Sequence, residues 1–227
     1  MSAFCALAFC FLAGGAWGDS VSIQNPSFEV TNTLDQPCTG STACFNAGPI
    51  PGWSSPAGGF GSFAPTSTFF SLPLSDGSIV AYTNGGGTLS QTLAGISLLP
   101  NSVYTLSVEV GRRFDVIGAN YSLNLLDGSN VFCTSGSNSN GSITAGTFTD
   151  ITLTCATGAT VPGGFLGIEL TGNGRQIDFD NVQLDVTTST VSTPEPSALA
   201  LTFVGLLASG LFFVLSRRRH YLLSASS

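Results

Sequence analysis

The chain has 227 residues, only 8% of them charged, with 13 acids against six arginines and no lysine. An average soluble domain carries about 25% charged residues. Between Asp19 and Thr193 stand 12 acids and three arginines, so this surface repels phosphate backbones and nucleic-acid binding is excluded. The same stretch is rich in Gly, Ser, Thr and Asn, which favour turns and hydroxyl-bearing strands over helices. The chain's 17 phenylalanines and regular apolar alternation argue against disorder.

Residues 1–18 open with an apolar run, Phe4 to Leu12, followed by small residues. Ala16 and Gly18 would occupy the −3 and −1 positions of a cleavage site before Asp19, which predicts a secretory signal peptide, although no Lys or Arg precedes the run. Residues 19–186 read as one domain. Period-two alternation predicts strands over Val21–Val30, Ser78–Tyr82, Thr88–Leu93, Val103–Val110, Tyr121–Leu126, Thr147–Cys155, Phe165–Leu170 and Gln176–Val186. The pattern is clearest where Tyr104, Leu106, Val108 and Val110 alternate with Thr105, Ser107 and Glu109. Asp127-Gly128 predicts a hairpin turn before Asn130–Phe132. Short strands with glycine-rich turns predict an all-β fold, a β-sandwich or jelly roll.

Four cysteines fall in this domain: Cys38, Cys44, Cys133 and Cys155. An even number in an oxidising compartment predicts two disulfides, and proximity favours Cys38–Cys44 and Cys133–Cys155 among the three pairings. Residues 187–193 form a polar linker. Residues 198–215 carry no charge and are long enough for a transmembrane helix, and Arg217, Arg218, Arg219 and His220 follow at once. Cations stay cytoplasmic, so the domain is expected outside. Pro194-Glu195-Pro196 keeps the stretch before the helix extended.

The order Pro194-Glu195-Pro196, apolar helix, Arg217-Arg218-Arg219 resembles the PEP-CTERM sorting domain of Gram-negative bacteria over residues 194–220. The resemblance implies an exosortase as processing partner and export to a cell surface or matrix containing extracellular polysaccharide. Here the chain continues to Ser227, beyond the usual stop. The central domain resembles galactose-binding-like jelly rolls in four segments. They are Ile23-Gln24-Asn25-Pro26-Ser27-Phe28-Glu29, Ile50-Pro51-Gly52-Trp53, Leu89 to Leu93 with Pro100 to Tyr104, and Ile177-Asp178-Phe179-Asp180-Asn181-Val182. That resemblance implies carbohydrate binding. It also implies a structural calcium held by Glu29 and Asp180, with backbone carbonyls and Asn25 completing the shell.

Chemistry has few other candidates. The single histidine, His220, lies beyond the predicted membrane helix, and the serines have no base partner of the usual kind. Glu109 and Glu169 are the candidate carboxylate pair of a glycosidase, against the simpler expectation of two solvated strand acids. Sugar binding uses flat aromatic faces with polar partners. The candidates are Phe60, Phe63, Phe69, Phe70, Tyr82 and Arg112, beside the turn Arg113-Phe114-Asp115, while Trp53 is expected in the core. The resulting expectation is a non-catalytic, exported surface or matrix protein with a carbohydrate-binding sandwich. The alternatives are a structural envelope component with no discrete ligand and a small jelly-roll glycosidase.

Overall fold

The structure, a computed structural model, describes residues 18–32, 44–56 and 58–188, together with 202, 204–207 and 209. The predicted signal peptide, Cys38, the Pro194-Glu195-Pro196 motif and the arginine cluster lie outside these residues. No helix among the described residues is long and apolar enough to cross a membrane.

The described chain runs through β1 (Asp19–Ser20), β2 (Cys44–Ala47), β3 (Gly59–Ala64), β4 (Val80–Asn84), β5 (Gly87–Ser97), β6 (Ser102–Arg112), β7 (Asn120–Asp127), β8 (Asn130–Thr134), β9 (Asn138–Ser139), β10 (Thr147–Ala156), β11 (Phe165–Asn173) and β12 (Ile177–Thr188). One sheet has the order β10-β6-β12-β4-β3-β2, with β1 added to β12. The other has the order β5-β11-β7-β8, with β9 added to β7. All pairings are antiparallel.

Alternation sets the core between the sheets. Tyr104, Leu106, Val108 and Val110 of β6 and Ile177, Phe179 and Leu184 of β12 face Leu123 and Leu125 of β7 and Leu166, Ile168 and Leu170 of β11. Each fully buried aliphatic side chain contributes on the order of 1.5–3 kcal/mol of transfer free energy. The Asp127-Gly128 hairpin forms as predicted, with Asp127 opposite Asn130 and Gly128 at φ 61°, a left-handed conformation that glycine adopts without strain.

The stretch Val21–Val30 is not a strand. Asn25 and Phe28 take positive φ, and the Asn25 side chain bonds both N–H and C=O of Val30, so the chain turns where alternation had suggested extension. This segment is instead held by the side chains of its neighbours. Gln91 receives the Gln24 N–H and donates back to the Gln24 carbonyl, both at 2.8 Å, which makes one side chain act as a piece of strand. Trp53 is in the core as expected, 5.2 Å from Phe28, and its indole N–H donates to the Asn25 carbonyl. Segment Gly59–Ala64, absent from the strands predicted by alternation, is strand β3.

Cys133 and Cys155 form a disulfide, and Cys44 is also disulfide-bonded, its partner lying outside the described residues. The 133–155 bond links β8, at one edge of the smaller sheet, to β10, at one edge of the larger. Its sequence separation of 22 residues corresponds to about 3 kcal/mol of loop-closure stabilisation. Replacing both cysteines by alanine is expected to lower the unfolding free energy in urea by about that amount. An unchanged midpoint would show that the bond adds nothing to stability.

Candidate active site

The outer face of the larger sheet, away from the core, is organised in rows set by register. One row reads Phe148 on β10, Gly111 on β6, Asp178 on β12, Tyr82 on β4 and Gly61 on β3. The glycines decide its shape. A Cβ on Gly111 would stand 2.5 Å from the Phe148 ring, and one on Gly61 would stand 2.9 Å from the Tyr82 ring. The Phe148 ring therefore reaches over Gly111, next to Asp178 in the row, and the Tyr82 ring reaches over Gly61 on the other side of Tyr82. The segment between β3 and β4 folds across this face and adds Phe69, Phe70 and Leu74 to Phe63, Val80, Tyr82 and Phe148. Phe70 stacks on Phe148 with centroids 4.8 Å apart. The segment is tied down by Ser71 N–H to the Gly146 carbonyl and Phe114 N–H to the Phe69 carbonyl.

Asp178 stands between Gly111 and Tyr82 in this row, with 0% of its surface exposed. Its Oδ1 accepts a hydrogen bond from Gln176 Nε2 at 2.7 Å, and its Oδ2 has no partner. Burial pushes its pKa from 3.8 up to about 7, and the Gln176 bond and the Arg113 charge offset only part of that rise. A hollow beside it is lined by Phe45, Phe63, Tyr82, Asn84, Arg113 and Gln176. The Arg113 guanidinium lies 4.3 Å from the centre of the Phe69 ring and 5.6 Å from that of Phe63. Asp115 pairs with it, and the Arg113 bond holds the Asp115 pKa below its ordinary value.

A second row on the same face joins Asp150, Glu109 and Asp180. Asp180 is pushed up to about 8, first by burial and then by the charges of Asp76, Glu109 and Glu29. Glu29 Oε1 accepts the N–H groups of Ser78 and Ile79 at 2.6 and 2.7 Å. Glu109 is bonded by the Ser75 hydroxyl and by Asn181. No group of three or more His, Cys, Asp or Glu among the described residues is already gathered closely enough to hold a metal.

The structure sorts the candidates read from sequence. Phe63 and Tyr82 line the hollow, Phe69 backs Arg113, and Phe70 is fully buried in the aromatic cluster. Phe60 packs instead against the main core. Arg112 does not reach the hollow: it donates to the carbonyls of Val116 and Ile143 and braces a loop. Its neighbour Arg113 holds the position expected of it. Glu109 and Glu169 lie on the outer faces of different sheets, pointing away from each other, and Glu169 is bonded by Asn124. They form no glycosidase pair. Asp178, Gln176, Asn84 and Phe45 were missed. The available signal was a second acid two residues before Asp180, on the same strand face and set between Ile177 and Phe179.

This is an all-β sandwich whose outer face holds a fully buried carboxyl of raised pKa beside an aromatic cluster. Residues 19–185 match the family model described as HpiC1 cyclase (HpiC1-like), and the chain belongs to that family. Among solved structures it is similar to the Stig cyclase FisC of Fischerella sp. TAU, in complex with (3Z)-3-(1-methyl-2-pyrrolidinylidene)-3H-indole. That match has 25% identity and a TM-score of 0.62, covering 77% of this chain and 100% of that one. A cyclase of Fischerella sp. TAU in complex with 4-(1H-indol-3-yl)butan-2-one matches at 26% identity and a TM-score of 0.60, over 76% and 100% of the two chains. Among curated proteins none matches.

The family corrects the functional expectation drawn from the two resemblances. The chain belongs to a family of catalytic cyclases rather than to non-catalytic, carbohydrate-binding surface proteins sorted by an exosortase. The expected partners change with it, from exosortase, polysaccharide and membrane to a small molecule. The four segments that looked carbohydrate-binding hold the sandwich together, as Gln91, Asn25 and Trp53 show.

The raised acid has a consequence for stability. A carboxyl whose folded pKa is about 7 against 3.8 binds more protons folded than unfolded between those values. Its contribution is fully present below 3.8 and is lost as pH rises to about 7. In Asp178→Asn, the decline of urea-unfolding free energy between pH 5 and pH 8 is expected to be shallower than in wild type. Parallel curves would show that Asp178 is not held neutral.

Proposed function

We propose that this protein cyclises an indole-bearing small molecule by proton transfer from Asp178. The observation that carries the reading is a fully buried carboxyl of pKa about 7, with one oxygen unpartnered, in the sheet row that also holds Tyr82 and Phe148. The family and the indole compounds bound by the two Fischerella cyclases support it. Because Asp178 is wholly covered, substrate access must part the wall in front of it. The segment 65–79 is the part of that wall held by loop contacts rather than by the sheet.

The chemistry follows from the surroundings. Protonation of the substrate by Asp178 creates an electrophilic carbon, an internal alkene or arene attacks it, and a proton returns to the carboxylate. The product is an isomer of the substrate. Aromatic faces attract the developing cation, and their exclusion of water prevents its capture as an alcohol. Positioned acids of this kind contribute about 10²–10⁴-fold in rate. Incubation with a 3-alkenylindole is expected to give a product of unchanged mass, and Asp178→Asn is expected to slow its formation at least about 100-fold. An Asp178→Asn variant as fast as wild type would remove the acid from the mechanism.

Calcium belongs to this proposal as a structural ion. Asp180 gathers the charges of Asp76, Glu109 and Glu29, a concentration of carboxylates that a hard divalent cation would neutralise. Glu29 and Asp180 would hold it together with neighbouring oxygens, fastening the segment before β2 to β12. Thermal melting is expected to show a higher midpoint with added calcium than with chelator. Coincident melts would discard Glu29 and Asp180 as ligands. Export is proposed as well, supported by the Cys133–Cys155 disulfide, which persists in oxidising compartments.

A further inference from the structure

Three side chains connect the protein surface to the buried acid. Asp115, at the exposed end, grips Arg113 through two parallel bonds, from Nε to Oδ1 at 2.9 Å and from Nη2 to Oδ2 at 2.7 Å. Arg113 Nη1 then donates to Gln176 Oε1 at 2.7 Å. Gln176 Nε2 donates in turn to Asp178 Oδ1 at 2.7 Å. The faces of Phe69 and Phe63 fix the plane of the guanidinium, which a lysine ammonium could not match.

The direction of this chain is set by chemistry at one end. A guanidinium carries donors only, so the Gln176 amide must turn its oxygen to Arg113 and its nitrogen to Asp178. An amide free to rotate could present its oxygen instead and take the hydrogen of a neutral Asp178 for itself. Arg113 forbids that order. With Oδ1 committed as an acceptor, Oδ2 is the oxygen left to face another molecule.

We propose that Arg113 is a positioning residue of the cyclase site: through Gln176 it occupies one oxygen of Asp178 and reserves the other for substrate. The inference rests on the assignment of Asp178 as the reacting acid made above. It gives Asp115 and Gln176 their roles too, the first aiming the guanidinium and the second passing its orientation inward.

Side-chain amide NMR of the full domain tests the relay without any ligand. Wild type is expected to show two widely separated Gln176 Nε2 protons, one held by Asp178. In Arg113→Met that separation should collapse while backbone amide shifts stay in place. In Phe69→Leu, which removes the stacking ring and keeps every donor, it should persist. Arg113→Lys, with a single ammonium nitrogen in place of the planar fork, should fall between. Affinity for 4-(1H-indol-3-yl)butan-2-one gives the second reading. Arg113→Met and Gln176→Leu should each weaken it about tenfold, and the double variant should bind no worse than either single one. Gln176 resonances unchanged in Arg113→Met, or losses that multiply in the double variant, would overturn the relay. If wild type does not bind the probe, the assignment of an indole site fails, while the amide spectra still decide the relay.

Discussion

Strand β12 is buried on both of its faces around Asp178, and the site depends on that. On the inner face Ile177 and Phe179 join the core, as in any sandwich. On the outer face Asp178 and Asp180 alternate with them and are covered as well. Burying an ionised carboxyl without a close cation is costly, so the group keeps its proton instead. The same face carries two glycines, Gly111 on β6 and Gly61 on β3, whose missing side chains leave room for the rings of Phe148 and Tyr82. The segment between β3 and β4 adds Phe70.

The two rows of the outer face divide the work between them. The Asp178 row is apolar and holds a single acid, whose burial raises its pKa to about 7. The neighbouring Asp150–Glu109–Asp180 row is acidic and collects further carboxylates at one end. Two aspartates only two residues apart thus sit in different surroundings. Both are raised first by burial, but Asp178 feels one further acid, Asp115, whereas Asp180 feels three, Asp76, Glu109 and Glu29. Arg113 stands on the side of the first row and is neutralised by Asp115 before it reaches the acid.

Most of the strands were legible in the sequence because burial of one sheet face writes a period of two. The alternation of Tyr104, Leu106, Val108 and Val110 became β6, and Asp127-Gly128 became its predicted hairpin. Alternation failed in Val21–Val30 because Asn25 and Phe28 adopt a backbone conformation that pattern cannot report. It failed again at β3, where Gly59 and Gly61 look like loop residues but are required by close-packed neighbours, Asn84 and Asn46. Half of the site was visible as aromatic residues, Phe63, Phe69, Phe70 and Tyr82. Their use was misread, since an exposed aromatic platform for sugar and an aromatic cluster beside an acid have the same composition. Asp178 stayed hidden because its partners Gly111 and Tyr82 come from strands distant in sequence, and only register brings them together.

The Cys133–Cys155 bond joins the free edge of one sheet to the free edge of the other. The hollow is lined from β2, β3 and β4, at the far side of the larger sheet. The cross-link between the sheets therefore stands away from the strands that shape the hollow, and changing it acts on the stability of the sandwich without touching a residue that lines the site.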